Sequence, residues 1–102
     1  MNQVLILITT EKNKKAAKKI AKSLLKKKLA ACVSLKDTNS IYKWEGKIED
    51  VNEVEITIKS NPKLKNALIF FLQEMLSYDV PQIICKKFDS EKKYKKWLDK
   101  TL

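Results

Sequence analysis

Apolar residues recur along this 102-residue chain with two different periods. An almost wholly apolar run from Gln3 to Thr9 is typical of a strand covered on both sides, so we expect a central β-strand there. A helix is predicted to follow from Glu11 to Lys28, capped by Thr9 or Thr10, because apolar residues then return every three or four positions. The rest of that helix is rich in lysine, and like charges four residues apart weaken an isolated helix. Packing of its apolar face against the rest of the protein must therefore stabilise it.

The middle of the chain alternates between apolar and polar residues, as strands do. A second strand is expected to begin at Leu29 and to run through a polar interval, residues 37–40, with a bulge or bend there. The chain's only glycine follows in the pair Glu45-Gly46, and its freedom to take a positive φ predicts a tight hairpin turn. Strand three is predicted from Lys47 to Lys59, with a register break at residues 50–52 and one face that is solvated or meets a polar neighbour.

Two further helices and one strand are predicted in the remainder of the chain. Asn61-Pro62 is a strong helix start, and an apolar stripe extends that helix to about Leu76. Residues 77–81 favour a turn, and residues 82–88 are expected to form the fourth strand. Asp89-Ser90 then caps a short helix from about residue 91 to residue 101.

This order of elements predicts one α+β domain over residues 1–102, a ferredoxin-like split βαβ sandwich with a long hairpin between strands two and three. Both main helices should cover one face of a four-stranded antiparallel sheet. The other face would be wet or covered by association, and the length of strands two and three favours association, since their edges would otherwise be exposed.

Composition narrows the possible functions. The formal net charge of +10 invites a nucleic-acid hypothesis, but every basic residue is lysine, so the bidentate guanidinium that reads guanine and phosphate is missing and nucleic-acid binding is not expected. Histidine is absent, which removes the usual general base and metal ligand, and one glycine allows no phosphate loop; we expect no enzyme. No apolar run approaches the length of a membrane helix, and two cysteines without secretory features indicate free thiols in the cytoplasm.

Three segments resemble the signatures of the CutA family, the divalent-cation tolerance proteins: residues 29–33 (LAACV), residues 40–47 (SIYKWEGK) and residues 78–84 (YDVPQII). They occur in the family's order, and the similarity extends to Tyr94 and to Trp97-Leu98. The resemblance implies a ferredoxin-like subunit in a tight homotrimer similar to the PII signalling proteins, and a role linked to copper and other divalent cations.

Residue by residue, the resemblance assigns copper binding to Cys32, together with a histidine pair that this chain lacks. Met75 stands near the place of that pair, so a thiolate and a thioether remain as soft ligands suited to Cu(I). Both residues can equally be core residues. Ser34 and Gln82 also depart from the family's usual asparagine and glutamate, and Cys85 has no known counterpart.

The resemblance also implies a second candidate site, because the family architecture would bring Trp44, Glu45, Lys47 and Tyr78 near a cleft between subunits. A lysine beside aromatic walls suits a small anion or carboxylate, which gives the alternative hypothesis of a PII-like trimeric sensor. Lys47 can equally be a solvated surface residue and Tyr78 a structural one.

Overall fold

A computed structural model describes residues 2–102, and its elements follow the predicted order. The strands are β1 (Gln3–Glu11), β2 (Cys32–Trp44), β3 (Lys47–Ser60) and β4 (Ile84–Asp89), and the helices are α1 (Lys14–Lys26), α2 (Lys65–Met75) and α3 (Lys92–Thr101). A short 3₁₀ turn, Pro62–Leu64, leads into α2.

The four strands form one antiparallel sheet in the order β2-β3-β1-β4. The apolar strand β1 lies between β3 and β4, which confirms the prediction that it is central. Together with the chain order, this topology is the predicted ferredoxin-like split βαβ arrangement.

Both main helices pack on the same face of the sheet, which we call the helix face. Alternate residues of β1 and β3 point into this core, because side chains two apart on a strand share a face. Leu24 of α1 and Leu72 of α2 are fully buried against them. The core consists of Leu5, Leu7, Ala17, Ile20, Leu24, Ala30, Val54, Ile56, Ile58, Leu68, Leu72 and Leu76.

Strands β2 and β3 extend well past the rest of the sheet. The pairing of β1 with β3 ends at Glu11 and Val54, whereas β2 and β3 continue to pair from Thr38–Glu53 to Trp44–Lys47. We call these projecting residues, 38–53, the hairpin arm. At roughly 3.4 Å per residue, its seven pairs account for about 24 Å of a molecule whose longest dimension is 45 Å.

The predicted bulge at residues 37–40 and the register break at residues 50–52 are wrong. The β2–β3 register is continuous from Cys32–Lys59 to Trp44–Lys47. Polar residues cause no break here because the arm projects beyond the core, so neither of its faces needs an unbroken apolar pattern. The Asn39 side-chain amide on β2 also forms hydrogen bonds to β3: it donates to the Asp50 carboxylate at 2.8 Å and to the Asn52 side-chain oxygen at 3.2 Å.

Several predicted boundaries move by a few residues. Thr9 and Thr10 lie inside β1, and Asn13 caps α1 instead, accepting the Ala16 backbone N–H at 2.8 Å. Strand β1 continues to Glu11 because β3 still runs beside it there, and Glu11 pairs with Val54. Strand β2 begins at Cys32 rather than Leu29, since the N–H groups of residues 27–29 still bond to the last turn of α1, and β4 begins at Ile84.

The caps of the later helices agree only in part with the prediction. Asn61 accepts the Lys63 N–H at 2.8 Å, as predicted. Helix α3 is capped by Glu91 rather than by Asp89-Ser90, and the two Glu91 carboxylate oxygens accept the N–H groups of Lys93 and Tyr94.

The sheet face opposite the two main helices, the open face, is covered only at one end. There Leu98 of α3 is fully buried beside Val4 and Ala31. Farther along the same face, Ile84 is 55% exposed, and Phe88, which pairs with Val4 on the edge strand β4, is still 45% exposed. The fold of one chain therefore leaves apolar surface uncovered.

Candidate functional site

A concave surface lies at the base of the hairpin arm and has a volume of about 600 Å³. One wall is the arm itself, and the other is the segment 77–82 that joins α2 to β4, with Thr10 at the end of β1 between them. We call it the hairpin cleft. Its volume falls within the range of small-molecule sites, roughly 300–1,000 Å³.

Aromatic rings and carboxylates dominate the lining of the hairpin cleft. The rings belong to Tyr42, Trp44 and Tyr78, and the carboxylates to Glu49, Glu53 and Asp79. The register explains part of this set: Tyr42 pairs with Glu49, so the two share a face, and Trp44 lies two residues farther along the same face. Among residues 2–102, no lysine lines the cleft.

Two hydrogen bonds fix the segment 77–82 against the sheet. The Ser77 hydroxyl donates to Oε2 of the buried Glu11 at 3.0 Å, and the Tyr78 hydroxyl donates to Oε1 of Glu53 at 2.9 Å. Partial burial, reinforced by the hydrogen bond to Glu53, raises the pKa of the Tyr78 phenol well above its usual value. Tyr78 therefore remains a neutral hydrogen-bond donor throughout the physiological range.

The structure brings together two of the four residues predicted for the cleft. Trp44 and Tyr78 both line it, whereas Glu45 and Lys47 lie at the tip of the arm, outside the lining. Glu45 and Gly46 form the hairpin turn with φ of 50° and 79°, the left-handed pair required by a two-residue type I′ turn. Lys47 pairs directly with Trp44 and shares its face, so it is next to the cleft.

Cys32 and Met75, the predicted soft metal ligands, lie far apart within one chain. Cys32 pairs with Lys59 near the start of β1, while Met75 ends α2 close to Ser77, which bonds to Glu11 at the other end of β1. The five strand residues that separate these two levels span roughly 17 Å. A site that uses both residues would need them from different subunits.

Metal-binding side chains do not cluster elsewhere in the described part of the chain. Residues 2–102 contain no group of three or more histidine, cysteine, aspartate or glutamate side chains that could hold a metal ion. Cys32 is a free, half-buried thiol on the open face, and by itself it offers one soft donor.

Cys85 differs from Cys32 in its surroundings. It pairs with Leu7 and packs against the main core on the helix face, whereas Cys32 lies on the open face of the opposite edge strand. The sheet order separates them by about three strand spacings, which is too far for a disulfide between them within one chain.

The sequence did not identify the acidic part of the cleft. The sequence predicts only that one face of strand three is solvated or meets a polar neighbour; Glu53 lies on that face, and Tyr78 is its neighbour. Glu49 could have been found from the hairpin turn alone, because a two-residue loop at Glu45-Gly46 places it opposite Tyr42. Asp79 carried no such signal, since its position depends on how the segment 77–82 folds over the sheet.

Comparisons with known proteins agree with one another. The family model described as CutA1 divalent ion tolerance protein matches residues 5–101. The divalent-cation tolerance protein CutA of Pyrococcus horikoshii is 38% identical over 96 residues, which cover 93% of this chain and 94% of that protein. Its CutA1 crystal structure superposes with a TM-score of 0.92 at 37% identity, over 95% of this chain and 96% of the other.

A third relative bears on the cellular compartment. The structure of the periplasmic divalent cation tolerance protein CutA from Archaeoglobus fulgidus has a TM-score of 0.92 at 32% identity, covering 96% of this chain and 97% of that one. Within residues 2–102 the helices are too short or too polar to cross a membrane.

Proposed function

Because the chain belongs to the CutA1 divalent ion tolerance family, we propose that it contributes to tolerance of divalent metal ions by binding metal and not by catalysis. The family match over residues 5–101 is the observation that carries this proposal. The absence of histidine limits the metal chemistry, since imidazole is the preferred protein ligand for Cu(II).

The proposed metal ligand is the Cys32 thiolate, acting on copper as Cu(I). A thiolate is a soft ligand that suits this ion, and Cys32 is neither fully buried nor part of the main core. One thiolate does not complete a coordination shell, so a second donor must come from another subunit. Met75 is the proposed second donor only in that arrangement.

A homotrimer is the proposed assembly, as the family resemblance implies. The apolar residues Ile84 and Phe88 on the open face support association, as does the hairpin arm with its exposed edge. The cytoplasm is the proposed compartment, supported by two free thiols, and cell fractionation is the direct check given the periplasmic relative.

A trimeric sensor of a small anion in the hairpin cleft is the second candidate. Its support is Lys47, which lies beside Trp44 on the face of the cleft. Three carboxylates in the lining oppose an anionic ligand, so we rank this function below metal binding.

Titration with Cu(I) against a chromophoric Cu(I) chelator tests the proposal. We expect saturable Cu(I) binding by the reduced protein, lost in Cys32→Ser. Cys85→Ser is the matched control, because it removes a thiol from the helix face and should leave the binding unchanged. Unchanged Cu(I) binding in Cys32→Ser, or equal loss in both variants, would remove Cys32 from the site.

A further inference from the structure

We infer that the outer side of α1 binds a linear inorganic polyanion of the polyphosphate class. The inference goes beyond the proposed metal function. It concerns the outside of the helix layer, away from the open face and the hairpin arm that the proposed trimer covers. It rests on the segregation of charge along the chain, on the direction in which α1 presents that charge, and on the lack of compensating groups on this helix.

The positive charge of the protein is concentrated in one segment. Residues 12–36 contain ten of the 22 lysines and no acidic residue. The remaining twelve lysines balance the twelve acidic residues, so this segment accounts for the whole formal net charge of +10. A surface with this concentration of one sign of charge is complementary to a polyanion.

Helix α1 presents this charge on its outer side. Five of its lysines, which we call the lysine face, fall within an arc of about 100° that is centred opposite the buried residues Ala17, Ile20 and Leu24. Because these three residues pack into the main core, the lysine face points away from the sheet, and its side chains are exposed. It extends for about 16 Å along the helix axis and consists of Lys15, Lys18, Lys19, Lys22 and Lys26.

The lysines of α1 have almost no partners of opposite charge. Within residues 2–102, the only salt bridge of this helix joins Lys14 to Asp37 at 3.1 Å, so no member of the lysine face forms one. Like charges recur four residues apart and repel each other, and the lysines of the first turn oppose the helix dipole. Helix α3 is also rich in lysine, but there Glu91 and Asp99 offset the charge. A bound polyanion would remove the repulsion that α1 leaves uncompensated.

The composition of the lysine face distinguishes between classes of polyanion. Helix α1 has no aromatic ring on which bases could stack, and the chain has no arginine to read guanine. Leu25 is the one large apolar residue of α1 that is exposed, so the helix has little surface to insert into a membrane. Lysine ammonium groups on flexible stems bind phosphates as point charges. A flexible chain of phosphates without bases or lipid tails is therefore the best match.

Polyphosphate that carries a fluorescent label at one end, titrated with the assembled protein in the absence of divalent cations, is the probe that tests this inference. We expect a saturable rise in fluorescence anisotropy at about 0.1 M salt. The dissociation constant should increase steeply with salt, because each contact between an ammonium group and a phosphate releases a counterion. Orthophosphate at the same phosphate concentration should not compete, since a single phosphate lacks the linked contacts of the chain.

The triple variant Lys18→Gln, Lys19→Gln, Lys22→Gln removes three charges from the centre of the lysine face. We expect it to raise the dissociation constant roughly 5- to 50-fold, the effect of three exposed charge pairs. The slope of the logarithm of the dissociation constant against that of the salt concentration should fall by about two. Glutamine matches lysine in helix propensity, so α1 should stay folded.

The triple variant Lys92→Gln, Lys93→Gln, Lys96→Gln is the matched control. It removes the same number of charges from exposed positions of the other lysine-rich helix, α3. Because these positions do not belong to the lysine face, the dissociation constant should change by no more than about two-fold. Native mass spectrometry should show the unsubstituted assembly in both triple variants.

Four outcomes would overturn the inference. The first is the absence of saturable binding at about 0.1 M salt. The second is equal weakening by the two triple variants, which would make binding a property of net charge alone. The third is tighter binding to a DNA duplex than to polyphosphate with the same number of phosphates, which would identify a nucleic-acid surface. The fourth is binding to phosphatidylglycerol vesicles that polyphosphate does not displace, which would identify a membrane surface.

The two proposals fail separately. Cys32→Ser should leave polyphosphate binding intact, and the triple variant of the lysine face should leave Cu(I) binding intact. Loss of Cu(I) binding alone therefore refers to the metal function, and loss of polyphosphate binding alone refers to the lysine face.

Discussion

Lys28 is the clearest example of a single residue held in an unfavourable conformation. It follows the end of α1 with φ of 59°, the left-handed region that L-residues avoid. The N–H of Leu29 donates to the Leu24 carbonyl at 2.9 Å and that of Lys28 to the Leu25 carbonyl at 3.1 Å, the hydrogen bonds of a Schellman motif. Leu24 and Leu29 also share the main core, so packing holds Lys28 in a position that glycine usually occupies.

We therefore expect Lys28→Gly to stabilise the protein by roughly 0.5–1 kcal/mol, because glycine adopts the left-handed region without steric cost. The measurement is guanidinium unfolding at fixed protein concentration, since association would otherwise shift the midpoint. Lys28→Ala separates conformation from charge: it removes the lysine charge but keeps the Cβ, and we expect no gain. A gain of equal size in both variants would assign the effect to charge.

Among the elements, α3 depends most on side-chain hydrogen bonds at its ends. Glu91 accepts two backbone N–H groups of the first turn, and Asp99 accepts from Lys95 at 2.9 Å and from Asn61 at 2.8 Å, which joins α3 to the start of α2. The backbone N–H of Lys93 lowers the pKa of Glu91, and the Lys95 hydrogen bond lowers that of Asp99. Both carboxylates must be ionised for α3 to keep these contacts.

The sign of the pH dependence follows from those lowered pKa values. The ionised carboxylates of Glu91 and Asp99 contribute fully to stability above the pKa values of the unfolded chain, about 4.3 for glutamate and 3.9 for aspartate. This contribution is lost as the pH falls through the lower pKa values of the folded protein. We expect the amides of α3 to lose protection from hydrogen exchange before those of the sheet as the pH drops from about 6 to 3. Glu91→Gln combined with Asp99→Asn should flatten this dependence; a double variant with the wild-type profile would contradict it.

At the scale of the whole molecule, the open face and the hairpin arm are the features that one chain leaves incomplete. Leu98 covers only the end of the open face near Val4, and Ile84 remains 55% exposed at the β4 edge. Phe70 on α2 is also exposed, but it belongs to the helix layer and not to the open face. The proposed trimer accounts for the exposed open face.

Native mass spectrometry should therefore give three times the 11.8 kDa of one chain. Ile84→Lys should raise the dissociation constant of the assembly roughly 10- to 100-fold, because it places a charge in aliphatic surface that the proposed trimer would bury. Phe70→Lys, at a residue 66% exposed on α2, is the control and should leave the trimer unchanged. A monomer in the unsubstituted protein, or dissociation only in Phe70→Lys, would refute the assignment of the open face.

The sequence by itself determined the order of elements, the fold class and the hairpin turn, because these depend on local preferences. The apolar period of β1 and α1, the cap at Asn61 and the freedom of Gly46 each act within a few residues of chain. The three matching segments determined the family for the same reason, since they are continuous in sequence.

Only the tertiary structure decided the exact limits of the strands, the distance from Cys32 to Met75 and the content of the hairpin cleft. Strand β1 continues to Glu11 because β3 extends beside it, and the arm keeps its register because no core face constrains it. Tyr78 and Glu53, 25 residues apart in sequence, meet because the segment 77–82 folds over the sheet. Contacts of this kind depend on the closing of long loops and on shape, and no local pattern of residues encodes them.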